Sequence, residues 1–204
     1  MPVLDQTDFR NLQEKIVARL RKGLASDLYY HGPEHTLDVL LACRRIAKAE
    51  GVNGADLQLL ELAALYHDNG FLEAYGGHEE VGCRYAKEEL PEYGFSDAQI
   101  SQVCETIMAT RIPQTPQDAL GEIICDADLD YLGREDFWEI GDALYREFLS
   151  RGIVAEDKEW NRLQLDFLQN HSYFTWVSRE EREPRKQIHL NKIKEIVEAY
   201  DSES

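Results

Sequence analysis

The 204-residue sequence contains no apolar run approaching the roughly 20 residues that cross a bilayer. No membrane partner is expected. Its opening residues, MPVLDQTDFR, lack the basic stretch and apolar segment of a secretory signal, so a cytoplasmic location is expected. Cysteine is scarce. Cys43, Cys83, Cys104 and Cys125 are scattered and form no CxxC pair. That argues against a thiolate zinc site and predicts buried, reduced thiols. Positive charge is also scarce: 22 Lys and Arg face 39 Asp and Glu, a net charge of −17. Such a surface repels polyanions and excludes a nucleic-acid polymer as partner. A small phosphate-containing substrate remains compatible where a metal or a local Arg supplies positive charge.

Neither low-complexity linkers nor internal repeats are visible. Hydrophobic residues make up 43% and charged residues 30%, the composition of a folded chain. Apolar residues recur three and four apart, without the alternation of strands. Helices are predicted at 7–23, 33–50 and 55–68, at about 78–90, and from the cap at Ser96 to about Thr110. Others follow at about 117–132, 135–150 and 156–169. Pro33 suits a first helical turn and Gly51 a helix end. A last long helix, about 175–200, contains Pro184, where a kink or break is expected. The segment 55–68 is apolar nearly all round, which places it at the centre of the molecule. The reading is one all-α domain over 1–204.

Three clusters carry chemistry. In YYHGPEH, His31 lies in a loop and His35 in the first turn of a helix. In YHDNG, His67 and Asp68 are adjacent at the end of the apolar helix. Their side chains diverge by about 100° on an ideal helix, so both reach one ion only near its end. In CDADLD, Asp126, Asp128 and Asp130 follow a buried-looking stretch. Periodicity alone leaves open which of these acids faces inward. An imidazole and carboxylates aimed into a core need compensation, and a divalent cation supplies it. His171 and His189 read as ordinary surface residues, and Arg185 and Lys186 in the last helix are left unplaced.

The order His35 … His67-Asp68 … Asp128 resembles the HD superfamily of metal-dependent phosphohydrolases. The segment YHGPEHTLDV is similar to the YHxxxH element of its cyclic-nucleotide phosphodiesterases. The resemblance implies an all-α fold of the HD type, with the metal-site region at about 29–134 and further helices at about 135–200. It implies His35, His67, Asp68 and Asp128 as metal ligands, the step Ala127-Asp128-Leu129 favouring Asp128 over Asp126. His31 becomes the proton donor. Asp68 joins the catalytic set by bridging to a second ion, with His78 beside it at a longer spacing than the phosphodiesterases show. Arg111 and Asn69 are candidate substrate contacts. One or two ions of Mn, Mg, Fe or Zn are implied. The expected substrate is a small phosphodiester or phosphomonoester, nucleotide-like in kind. Alternatives are an HD-type di-iron oxygenase and a non-catalytic nucleotide-binding module. A homodimer is an open option for a helical enzyme of this size.

Overall fold

A computed structural model describes residues 4–202. Ten α-helices follow one another: α1 (Gln6–Gly23), α2 (Pro33–Glu50), α3 (Gly54–Tyr66), α4 (His78–Glu89), α5 (Asp97–Ala109), α6 (Ala119–Asp128), α7 (Phe137–Ser150), α8 (Asp157–Asn170), α9 (Trp176–Glu181) and α10 (Glu183–Ser202). One-turn 3-10 helices occupy 69–72, 90–93 and 130–133, and no strand occurs among the described residues. The all-α expectation therefore holds.

Local signals account for the ends. The Asp5 carboxylate accepts from the backbone N–H groups of Thr7 and Asp8 at 2.8 and 2.9 Å and opens α1. Pro33 sits in the first turn of α2, and Gly51 closes that helix in the left-handed conformation. At the start of α5 the Gln99 side chain accepts from the Ser96 backbone N–H at 3.0 Å. The chain breaks at Arg182 and resumes with Pro184 in the first turn of α10, as the missing proline N–H requires.

The helices fall into two compact units. The first comprises the chain up to Ala25 and His31–Asp128, hence α1 to α6. Its centre is α3, buried without interruption from Leu62 to Tyr66, with α2, α4, α5 and α6 packed around it. A helix buried on all faces needs no polar stripe, which explains its apolar sequence. Two glycines allow this packing at the end that matters. A Cβ on Gly82 would stand 2.5 Å from the Tyr66 carbonyl oxygen, so only glycine lets α4 press against the end of α3. A Cβ on Gly70 would overlap the backbone of His78, so glycine also lets the 69–72 turn nest on the start of α4.

The second unit comprises Ser26–Tyr30 and Leu129–Ser204, with α7 to α10. Its core contains Tyr131, Leu132, Phe137, Leu168, Tyr173 and Ile193. Two expectations are corrected here. His189 is buried, 5% exposed, with Nδ1 2.9 Å from the Leu132 carbonyl and its ring stacked on Phe137 at 4.2 Å. His171 is also no open-surface residue: it ends α8, and burial beside Lys186 lowers its imidazole pKa to about 4. Both histidines sit where the helices of this unit meet, which isolated residues in polar sequence do not announce. Lys186 is only 1% exposed, its ammonium 2.6 Å from the His171 carbonyl and 3.0 Å from Glu183. Arg185 pairs with Glu135 at 3.1 Å.

Candidate metal centre

The site forms where three helix ends of the first unit meet. His35 comes from the first turn of α2, His67 and Asp68 follow the last residue of α3, and Asp128 is the last residue of α6. Helix termini suit this purpose, because side chains there escape the cylinder and approach one point from several directions. His35 Nε2 lies 3.0 Å from Asp128 Oδ1, 3.4 Å from Asp68 Oδ2 and 3.5 Å from His67 Nε2. His67 Nε2 lies 3.3 Å from Asp68 Oδ1 and 3.6 Å from Asp128 Oδ1.

These spacings fit a shared ion. Two donors each about 2.1 Å from one metal, at tetrahedral or octahedral angles, stand about 3.0–3.4 Å apart. Donor atoms of His35, His67 and Asp128 all lie within 4.8 Å of one another. Asp68 meets the two imidazoles with different oxygens, and its buried Oδ2 makes no hydrogen bond. His67 Nδ1 is 2.9 Å from the Ala64 carbonyl, so that nitrogen donates and leaves Nε2 free to coordinate. The electrostatics agree. Burial pushes the His67 imidazole pKa down, but Asp68 and Asp128 outweigh it and raise the value above the ordinary one. Burial pushes the Asp68 carboxyl up, and His67 and His35 more than offset this. Asp128 is likewise held well below the usual range by contacts with the two imidazoles, against its burial. A buried set of two imidazoles and two ionised carboxylates is what a divalent cation stabilises.

His78, at the start of α4, points Nε2 toward this cluster, 3.7 Å from Asp68 Oδ1 and 3.7 Å from Glu79 Oε1. Its Nδ1 is 3.2 Å from the Tyr75 carbonyl, the arrangement already seen at His67. His31 stands at the rim, its ring 6.0 Å from that of His35 and stacked on Phe71 at 4.3 Å. Phe71 stacks on its other neighbour, His78, at 4.0 Å. One phenyl ring thus fixes the planes of two candidate histidines.

The remaining candidates divide. Asn69 is completely buried, and neither atom of its amide has a hydrogen-bond partner. Arg111 pairs with Glu80 and lies 3.6 Å from Glu79, so its guanidinium is held by carboxylates. Asp126 is buried and is not among the three residues whose donors converge. Asp130 belongs to the second unit, where Arg182 grips it through 2.7 and 3.3 Å contacts. Sequence reasoning missed Phe71, Glu79 and Tyr75. They lie in or beside the glycine-rich stretch after His67-Asp68, where no periodicity marks a face.

Residues 33–130 match the family model of the HD domain. This segment is an HD domain. It contains His35, His67, Asp68 and Asp128, and His31 lies two residues before it. The HD domain is that of a superfamily of metal-dependent hydrolases. In fold, the chain is similar to a crystal structure described as a predicted HD superfamily hydrolase from an uncultured Thermotogales bacterium. The TM-score is 0.63 at 22% identity, covering 97% of this chain and 99% of that one. Comparison with curated proteins gives no match. No helix among the described residues is long and apolar enough to cross a membrane.

Proposed function

We propose that this HD protein is a metal-dependent phosphoric ester hydrolase acting on a small, nucleotide-like phosphodiester or phosphomonoester. The observation that carries the reading is the convergence of His35, His67 and Asp128 donors beside an Asp68 oxygen that makes no hydrogen bond. A bound Mn, Mg, Fe or Zn ion would lower the pKa of a water and stabilise negative charge on a phosphoryl group. His35, His67, Asp68 and Asp128 hold that ion in this proposal. Asp68 offers one oxygen toward His35 and the other toward His67 and His78, which supports a bridging role with His78 at a second ion.

His31 is the proposed proton donor to the leaving oxygen, a general-acid task that imidazoles commonly perform. Its stacking on Phe71 holds the ring at the rim instead of in the ligand set. Asn69 is proposed to orient a water or substrate oxygen, since its buried amide offers a donor and an acceptor that nothing else uses. A phosphate contact from Arg111 would require its release from Glu79 and Glu80.

The net charge of −17 favours a small substrate over a nucleic-acid polymer. A cytoplasmic location and a symmetric homodimer complete the proposal. The approach of His78 to Asp68 also favours a second reading, an HD-type di-iron oxygenase. The test is hydrolysis of an aryl phosphodiester and an aryl phosphomonoester by metal-stripped protein, with each ion added back. Ion-dependent ester hydrolysis supports the proposal. Oxygen consumption by iron-loaded protein without ester hydrolysis supports the oxygenase, and tight nucleotide binding without turnover a regulatory module.

A further inference from the structure

Away from the metal centre, α4 and α5 enclose a groove of about 870 Å³ lined by Lys87, Ile100 and Met108 among others. Cys83 from α4 and Cys104 from α5 both line it. The Cys83 sulfur lies 3.5 Å from the Cys104 carbonyl oxygen, and the Cys104 sulfur 3.6 Å from the Cys83 carbonyl oxygen. This reciprocal contact sets the two residues face to face across the helix pair. The other two cysteines differ. Cys43 and Cys125 are fully enclosed and do not line this groove, and the Cys125 thiol is engaged with the Ala109 carbonyl at 3.1 Å.

We propose that Cys83 and Cys104 are a reversible dithiol–disulfide pair, oxidised by small hydroperoxides that enter through this groove. The surroundings of the two sulfurs assign the order of events. Cys104 is the attacking sulfur: the facing Cys83 thiol and the Lys87 ammonium in the same groove lower its pKa, against the effect of burial. The Cys104 thiolate attacks one oxygen of the peroxide, the O–O bond breaks, and an alcohol or water leaves with the second oxygen and a proton. Cys104 then carries a sulfenic acid. The Cys83 sulfur attacks that sulfur, its proton passes to the departing hydroxyl, and one water leaves. The two thiols have lost two electrons and two protons, and the peroxide has been reduced. A dithiol reductant reverses the bond by exchange. The disulfide joins the helix that opens with His78 to the helix that leads into Arg111.

The experiment uses the folded, metal-replete protein treated with hydrogen peroxide. Remaining thiols are alkylated after denaturation, and peptides are mapped by mass spectrometry. The expected result is loss of two alkylatable thiols, a Cys83–Cys104 linked peptide, and full reversal by dithiothreitol. The variant Cys83→Ser should instead accumulate one added oxygen on Cys104, trapped by dimedone. Four alkylatable thiols after peroxide treatment would overturn the proposal. So would a linkage involving Cys43 or Cys125 in place of this pair.

Discussion

The Nε2 atom of His35 lies 3.0 Å from Oδ1 of Asp128, although 93 positions separate the two residues in the chain. One side chain enters at the start of α2 and the other at the end of α6, and α2 and α6 pack against each other. The pair therefore depends on correct packing of the whole first unit. Asp128→Asn should remove metal binding and lower turnover by more than about 100-fold, beyond what loss of an outer-shell partner costs. Metal analysis beside circular dichroism checks this. Full ion occupancy with normal turnover would remove Asp128 from the ligand set.

His31 gives a contrasting case. His31→Ala should retain the ion and slow turnover by about 100- to 10,000-fold, the range for losing a general acid. The loss should grow as the leaving group worsens. A variant that no longer binds metal would make His31 a ligand.

Gly82 tests the packing beneath the site. A Cβ there meets the Tyr66 and His67 carbonyl oxygens at 2.5 and 3.1 Å, and backbone cannot yield as a flexible side chain does. Gly82→Ala should cost about 1–3 kcal/mol of stability, the usual range for overpacking. It should also weaken metal binding by displacing the end of α3. Thermal denaturation with and without ion separates the two effects.

His171 predicts a pH dependence. Burial first, and then Lys186, lower its pKa to about 4 in the folded state, against about 6.5 when unfolded. The unfolded chain therefore binds this proton more readily. Stability associated with neutral His171 is complete above about pH 6.5 and is lost as pH falls toward 4, by up to about 3 kcal/mol. His171→Gln should flatten denaturation midpoints across that window. An unchanged pH profile in the variant would assign the acid sensitivity to other groups.

Much of this was readable in the sequence. Pro33 and Gly51 bound α2 where expected, because each acts on the backbone directly. The apolar stretch 55–68 became the central helix because its composition leaves no face for water. The structure brings donor atoms of His35, His67 and Asp128, the residues that the His-Asp order singles out, within 4.8 Å of one another. Asp126 and Asp128 stayed ambiguous to periodicity because the choice depends on α6 ending at Asp128, a fact of tertiary packing. The Phe71 sandwich between His31 and His78 could not be read, since a 3-10 turn in a glycine-rich stretch has no repeating face. The burial of His171 and His189 depends on which helices of the second unit meet, and no local pattern encodes that.

The most direct test of the central claim is hydrolysis of an aryl phosphodiester by metal-stripped protein, with divalent ions restored one at a time. The account predicts no turnover without metal, recovery with at least one ion, and no recovery in the Asp68→Ala variant. Stoichiometric ion binding with no hydrolysis of diester or monoester, or full turnover in Asp68→Ala, would contradict it.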